Sequence, residues 1–380
     1  MTAAPLLLVA HPSPDLYGSD LQLLEAIDAA TGDGWRVHVV LPATGPLVEQ
    51  LVEHGATVEV TDFPVLRKAL LTPKGLAGLA ASAAPTVWRL ARLIRRRGAT
   101  ALLVNTVTIP FWEPAGTLAR VPVITYVHEA EEGQHPVVAA GLTAPLLCSR
   151  GVIANSATAR NVVVAAVPAL ARRTRVVHNG VPFPPTPAAA LRERAPGDPL
   201  RIVYVGRLAP RKGTDTAVDA LGELRRRGVD AHLDLYGSVF PGYEWFEAEL
   251  RDAVRRDGTD AHVTFHGYVA GPWAAYADAD VVVMPSRAEP FGNVAVEAMH
   301  ARRPVVAAAV QGLTETIADG VTGLHVPADD AGALADAVQR LARDPALARR
   351  IAEAGHRSAA EQFSVATYRG RIARLLRTVR

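Results

Sequence analysis

The residues best suited to chemistry lie in Tyr204-Val-Gly-Arg-Leu-Ala-Pro-Arg-Lys-Gly213, where an apolar run ends at Val205, Gly206 follows, and Arg207 and Lys212 occupy the loop before a helical pattern. Two cations at the carboxyl end of a strand, beside a helix N-terminus with unpaired backbone amides, suit a diphosphate. The other reading is a basic surface loop. Against it, Lys212 is one of only three lysines, with Lys68 and Lys74, among 40 basic residues. A chain that otherwise uses arginine places an ammonium here.

A second string, Pro285-Ser-Arg-Ala-Glu-Pro-Phe-Gly-Asn-Val-Ala-Val-Glu297, follows the apolar run Val281–Met284. Glu289 precedes a helix expected from about Asn293, and Glu297 falls in its first or second turn. Gly292 lets the backbone approach a ligand closely, and the amides near Asn293 and Val294 can meet phosphate or sugar oxygens. The two carboxylates can hold hydroxyl groups at two places on one ligand. Taken singly, Glu297 also reads as favourable charge near a helix N-terminus and Glu289 as a solvated loop residue.

Other signals carry less. Asp278-Ala-Asp280 spells a metal-binding D-x-D, but it precedes the strand Val281–Met284 and so reads as a turn at the amino end, away from the ligand edge. No metal requirement is expected. His262 and His266 share a strand face without a third ligand. There is no Walker A string, and Gly32-Asp-Gly34 lacks the third glycine of a dinucleotide fingerprint. Cys148 is the single cysteine; within Ala144-Pro-Leu-Leu-Cys148 it reads as a buried, inert residue. One thiol allows no intrachain disulfide, which fits a cytoplasmic location.

These strings need elements to hold them. Apolar runs at Leu6–Ala10, Val37–Leu41, Val58–Val60, Ala101–Asn105, Val123–His128 and Gly151–Asn155 read as buried strands, with helical patterns at Asp20–Ala30 and Gly45–Gly55. Four prolines in His178-Asn-Gly-Val-Pro-Phe-Pro-Pro-Thr-Pro187 mark a linker. The pattern then restarts, with strands at Arg201–Val205, His232–Tyr236, Val263–His266, Val281–Met284, Val305–Ala308 and Gly323–Val326. Helices are expected over Asp215–Arg227 and Tyr243–Asp257, and two more close the chain at Pro345–Gln362 and Val365–Val379. Continuous apolar strands alternating with helices predict two doubly wound parallel sheets, with ligands outside the carboxyl ends of the strands and a cleft between the domains as the expected active site.

The chain has 380 residues, 49% hydrophobic and 21% charged, with a net charge of +2. That is ordinary for two folded domains and gives no reason to invoke nucleic acid. The N-terminal Leu6–Ala10 run lacks a basic leader and reads as a strand rather than a signal peptide. The stretch Leu66–Leu71 and the helix near Gly75–Arg97 are apolar with basic ends at Arg67, Lys68, Arg92, Arg95, Arg96 and Arg97. They read either as a solvated basic face or as a peripheral contact with the inner face of an anionic membrane that carries the acceptor.

Gly206-Arg207-Leu208 with Arg211-Lys212-Gly213, and Glu289-x7-Glu297 inside Glu-Pro-Phe-Gly-Asn, resemble the retaining glycosyltransferases of family GT4 over essentially the whole chain. Gly18-Ser19, His128, Asn179-Gly180-Val181, Phe265-His-Gly-Tyr-Val269 and Glu361-Gln-Phe-Ser364 also match. The resemblance implies the α/β GT-B fold, two Rossmann-like domains facing across a cleft. Residues 1–181 would form the acceptor-side domain, with the helix at about 364–380 packing back onto it, and residues 182–363 the donor-binding domain. It implies transfer of a sugar from a nucleotide-sugar donor, with UDP or GDP as the nucleotide, to a hydroxyl acceptor such as a glycan, a lipid-linked sugar or a small molecule, without cofactor or metal.

It also implies roles. Arg207 and Lys212 hold the diphosphate, Glu297 the ribose and Glu289 the sugar hydroxyls. Phe291, Gly292 and Asn293 pack their backbone on sugar and phosphate, Gly18 approaches the diphosphate from the first domain, and His128 reaches the sugar. Gly237 and the backbone near Val269 border the base. Gly18-Ser-Asp20 stands where Gly-Gly-x-Glu is commoner, and Tyr236-Gly-Ser238 where Gly-x-Gly is. Two other readings remain: a 2-epimerase-like enzyme of the same fold, for which no acid–base pair is evident, and a non-catalytic sugar-nucleotide-binding protein, against which the intact charged residues argue.

Overall fold

The structure, a computed structural model, describes residues 4–16, 18–66, 72–130, 133, 135–195 and 197–379. The basic pair Arg67 and Lys68 lies outside the described residues. The chain divides into two compact units, Met1–Gly180 with Val365–Arg380, and Val181–Ser364.

The first unit runs β1 (Leu6–Ala10), α1 (Gly18–Gly32), β2 (Arg36–Leu41), α2 (Leu47–Glu53), β3 (Thr57–Val60), α3 (Pro73–Arg97), β4 (Ala101–Val104), α4 (Trp112–Ala119), β5 (Val123–Val127), α5 (Pro136–Thr143), β6 (Gly151–Ala154), α6 (Ala157–Ala166) and β7 (Thr174–Val176). Its seven strands are parallel in the order β3-β2-β1-β4-β5-β6-β7. Every residue of β1, β4 and β5 is buried, as strands covered on both faces must be. One face packs Leu23, Ile27 and Leu51 from α1 and α2. The other packs Leu90, Ile94 and Trp112 from α3 and α4. Helix limits follow local chemistry. Thr72 caps α3 by accepting from the Gly75 amide at 3.1 Å, Pro73 opens its first turn, and Gly98 ends it at φ 66°.

The second unit runs β8 (Leu200–Val205), α7 (Thr214–Arg226), β9 (Ala231–Tyr236), α8 (Glu244–Arg256), β10 (Val263–Gly267), α9 (Trp273–Asp278), β11 (Val281–Met284), α10 (Asn293–His300), β12 (Val305–Ala308), α11 (Leu313–Thr316), β13 (Leu324–Val326), α12 (Ala331–Arg343) and α13 (Pro345–Gln362). The six strands are again parallel, in the order β10-β9-β8-β11-β12-β13. The order of each sheet reverses between its first strand and the strand paired on that strand's other side: β1 and β4, then β8 and β11. Those are the switch points at which such sheets bind ligands. Asp330 and Asp344 cap α12 and α13. The last helix, α14 (Val365–Arg377), belongs to the first unit, where Arg369 pairs with Glu25 at 2.7 Å and Asp28 at 2.5 Å on α1. A Cβ on Gly180 would lie 2.6 Å from Tyr368 Cβ, so the backbone at Asn179-Gly180 passes directly against α14.

The strands read from the apolar runs match within about a residue at each end. The short edge strand β7, Thr-Arg-Val, was not readable as one. The helix expected at Gly45–Gly55 is confined to Leu47–Glu53, because Gly45 packs tightly on Pro14 and Gly55 turns at φ 83°. Cys148 is a correction: it is exposed, not buried. A 3-10 turn over Ala144–Cys148 buries Leu146 alone.

Candidate functional site

At the carboxyl edge of the second sheet, the loop after β8 and the loop after β11 are locked together. Gly213, at φ 65°, ends the 3-10 turn Pro210–Lys212 and starts α7, and a Cβ there would fall 1.9 Å from the Pro285 carbonyl oxygen. Only glycine fits that approach. The Arg287 amide donates to the Arg211 carbonyl at 2.9 Å, and Arg211 Nη1 donates to the Ala288 carbonyl at 2.6 Å. Arg287 then clamps the start of α7: Nη1 and Nη2 donate to the two carboxylate oxygens of Asp215 at 2.9 and 2.7 Å, and Nε lies 2.5 Å from Asp329. A bidentate guanidinium–carboxylate pair fixes direction as well as distance.

The result of this bracing is direct contact between two of the residues singled out by sequence. Lys212 Nζ donates to Glu289 Oε2, with the two side chains 20% and 11% exposed. The pair is dry enough to be strong and open enough to meet a ligand. Arg207 lies in the same β8 loop, its guanidinium carbon 3.3 Å from the centre of the Phe240 ring, which holds the cation by cation–π attraction. Glu297, one turn into α10, accepts from Tyr276 Oη at 2.7 Å. Burial raises its pKa above the usual carboxylate range, opposed by the tyrosine hydrogen bond.

The glycines have backbone reasons. Gly292, at φ 96°, is the residue before α10, and a Cβ there would meet Leu313 at 2.6 Å. Gly237, at φ 152°, could carry no Cβ because Gly206 O would lie 1.8 Å away, and the Gly206 amide donates to Tyr236 O at 2.9 Å. The two glycines therefore let the ends of β8 and β9 meet. Phe291 sends its side chain into the core against Phe363, 5.6 Å between ring centres, and Val294 packs at the margin of the same core. Val269 is exposed after β10. Asp278 ends α9 and Asp280 lies between α9 and β11, at the amino edge. Asp280 accepts from the Arg201 amide and from Arg192, both at 2.9 Å, and Asp278 faces Arg201 at 3.6 Å.

The carboxyl edge of the first sheet is different in kind. His128 follows β5, and its Nε2 lies 3.0 Å from Asn105 Oδ1, just past β4. Asn105 Nδ2 lies 3.0 Å from Nδ1 of His11, which follows β1, and His11 Nε2 lies 2.7 Å from Asp20 in the first turn of α1. The Tyr126 ring lies tilted against the His128 ring, 4.0 Å between centres, and its hydroxyl donates to Asn179 at 3.1 Å. Burial, aided by nearby His11, lowers the His128 pKa to about 3, so the ring is neutral at physiological pH. Beside it, Glu129 accepts from the His128 amide at 2.9 Å and from the Thr106 hydroxyl, and burial raises its pKa. Gly18 opens α1 and is exposed. Among the residues singled out by sequence, Lys212 and Glu289 touch each other, while Arg207, Glu297 and His128 each have other partners. Asp215, Arg287, Tyr276, Phe240, His11 and Asn105 escaped the sequence reading. They form no motif along the chain, and these partners converge only in the fold.

A surface cavity of about 570 Å³ in the first unit is lined by Arg120, Arg150 and Arg173 with Thr117, Cys148 and Ser149. It sits where β5 and β6 begin, the edge opposite the one at which such sheets bind ligands.

Comparison with known proteins matches residues 18–183 to the family model for Glycosyltransferase Family 4 and residues 199–344 to that for Glycosyl transferases group 1. An alpha-D-kanosaminyltransferase of Streptomyces kanamyceticus is 36% identical over 194 residues, 50% of this chain and 49% of that protein. A glycogen synthase of Mycobacterium tuberculosis is 32% identical over 265 residues, 66% of this chain and 62% of that protein. The chain thus spans between about half and three-fifths of the length of these curated relatives. Among solved structures, Anabaena Alr3699/HepE in complex with UDP superposes with a TM-score of 0.83 at 24% identity, covering 98% of this chain and all (100%) of that one.

Proposed function

The chain belongs to the group 1 glycosyltransferases of family 4, in the GT-B fold, and from that premise we propose that it transfers a sugar, with retention at the anomeric carbon, from a nucleoside-diphosphate sugar to a hydroxyl acceptor. The observation that carries this reading is the contact between Lys212 and Glu289, braced by Arg287 across two loops at the switch point of the second sheet. Breaking the sugar–phosphate bond builds negative charge on the diphosphate and positive charge on the sugar carbon. Arg207 and Lys212 supply fixed cations for the first, a role a divalent metal fills in other enzymes. Glu289 already accepts from Lys212; with donor bound it takes sugar hydroxyls, while the ammonium turns to phosphate. Glu297, held by Tyr276, binds the ribose. His128, neutral, meets the transferred sugar, and a donor phosphate oxygen takes the acceptor proton. Gly18, Gly237 and Val269 line the donor as the family resemblance implies.

UDP and GDP are the expected nucleotides. The solved HepE structures include complexes with UDP and with UDP-glucose, which supports UDP as the first to try. No helix among the described residues is long and apolar enough to cross a membrane. Helix α3 presents Trp88, Arg89, Arg92, Arg95 and Arg96 to solvent, with the Arg92 guanidinium 5.5 Å from the Trp88 ring centre. This face suits peripheral contact with the cytoplasmic side of an anionic membrane, and sedimentation with anionic liposomes tests it. The deciding experiment is thermal stabilisation by UDP-, GDP-, ADP- and TDP-sugars without metal, followed by release of the nucleoside diphosphate. One nucleotide should stabilise the protein and be released slowly, with no response to chelator. Absence of any shift would remove the donor site, and activity restored only by magnesium would remove metal independence.

A further inference from the structure

The hydrogen-bond chain at the carboxyl edge of the first sheet has a direction, and one end fixes it. Asp20 is 3% exposed, and a carboxylate can only accept. His11 Nε2, 2.7 Å from its Oδ1, therefore carries a proton. A neutral imidazole holds one proton, so His11 Nδ1 is an acceptor, and it faces the amide nitrogen of Asn105 at 3.0 Å. The same amide then turns its oxygen to His128 Nε2, 3.0 Å away, which must be the protonated nitrogen of that ring. His128 Nδ1 is left with its lone pair. A doubly protonated His11 would require the Asn105 amide to face the other way and would move the His128 proton to Nδ1. The first polarity is the one with the amide nitrogen toward His11, 3.0 Å from Nδ1. His11 is 0% and Asn105 1% exposed, so water has no access to break the sequence of donors. Tyr126 on the ring face and the Asn155 amide donating to the His128 carbonyl at 3.3 Å hold the last member in place.

We infer that Asp20 is a positioning residue which, through His11 and Asn105, fixes the His128 tautomer with its proton on Nε2 and so presents Nδ1 as a hydrogen-bond acceptor to a donor-sugar hydroxyl. The partner on one imidazole nitrogen decides what the other can do, and here that partner is set from two strands away. The inference rests on the reading of His128 as the residue that meets the sugar.

Nitrogen-15 NMR of the full chain labelled at histidine reads the tautomer directly, with the His128 signals assigned by their loss in His128→Asn. The wild-type protein should show a protonated Nε2 and an unprotonated Nδ1 at His128, a result that needs no variant to fold. Asp20→Leu and Asn105→Leu should each bring in the Nδ1-protonated form and lower kcat about tenfold, the scale of one buried hydrogen bond, with little change in donor KM. Asp20→Glu should restore both tautomer and rate. A wild-type His128 protonated on Nδ1, or a tautomer unmoved in both leucine variants, overturns the inference. The sugar-contact reading fails separately: His128→Ala would then transfer at the wild-type rate whatever the NMR shows.

Discussion

The two carboxyl edges use opposite kinds of polar chemistry. In the second unit, Arg207, Lys212, Arg287, Asp215 and Glu289 are charged, stand on loops or the first turn of α7, and keep partial contact with water; even the tight Lys212–Glu289 pair is 20% and 11% exposed. In the first unit, His11, Asn105 and His128 are joined through neutral hydrogen bonds, most of them sealed from solvent. Under the proposed function, the difference follows from the task each edge has. A group that neutralises an arriving diphosphate has to be charged before the ligand comes, so it needs a counter-ion and some solvent until then. A group that offers one lone pair in one direction has to be neutral and dry, because water or a second proton would scramble its orientation.

The largest effect that sharpens the contrast is at Lys212. Lys212→Ala should lower turnover on the order of 10²–10³-fold with the melting temperature near that of the wild type, because it removes charge stabilisation rather than core. Near-normal turnover would break the assignment of charge chemistry to this edge. Next comes the brace. Arg287→Ala should cost about tenfold in kcat/KM by releasing the Lys212 loop, and Asp215→Ala should add little to it, since both remove one bidentate pair. Full additivity would mean that the clamp does not act as a unit. Smaller again is Tyr276→Phe, which deletes the hydroxyl that donates to Glu297. Donor KM should rise a few-fold with kcat unchanged, as for a ground-state contact.

The smallest effect is on stability alone and tests whether the first unit keeps its buried polar groups neutral. Glu113 is fully buried (0% exposed), and Thr125 Oγ1 donates to it at 3.2 Å. Burial raises its pKa from 4.5 to about 8. The folded state therefore holds this proton more tightly than the unfolded state, and its contribution to stability is complete below about pH 4.5 and declines as pH rises towards 8. Glu113→Gln keeps the neutral shape and removes that decline. Its melting temperature should pull ahead of the wild type progressively across that window, and a constant difference would contradict the buried, neutral carboxyl.

The same contrast explains which features were legible. Arg207, Lys212, Glu289 and Glu297 stand in two short strings, each in one loop–helix junction, so their types and spacing announce a site. Continuous apolar strands such as Val281–Met284 gave the parallel sheets for a similar reason, since burial on both faces leaves an uninterrupted run. Asp20, His11, Asn105 and His128 are spread over the chain; the resemblance picked out His128, but no spacing joined it to the other three. Parallel strand order places residues 11, 105 and 128 side by side because β1, β4 and β5 are neighbours. Cys148 shows the reverse error: an apolar neighbourhood in sequence suggested burial, but a 3-10 turn rotates only Leu146 inward.

The sequence by itself determined the alternation of strands and helices, the break between the two halves, and the loops that carry fixed charge, because these follow from local periodicity, proline density and the positions of cations next to strand ends. Only the tertiary structure decided that Lys212 meets Glu289, that Arg287 braces the two loops, and that a carboxylate on α1 sets the polarity of an imidazole beyond β5. Hydrogen bonds of this kind are fixed by which strands lie side by side and by the exclusion of water, and neither is written in the spacing of residues along the chain.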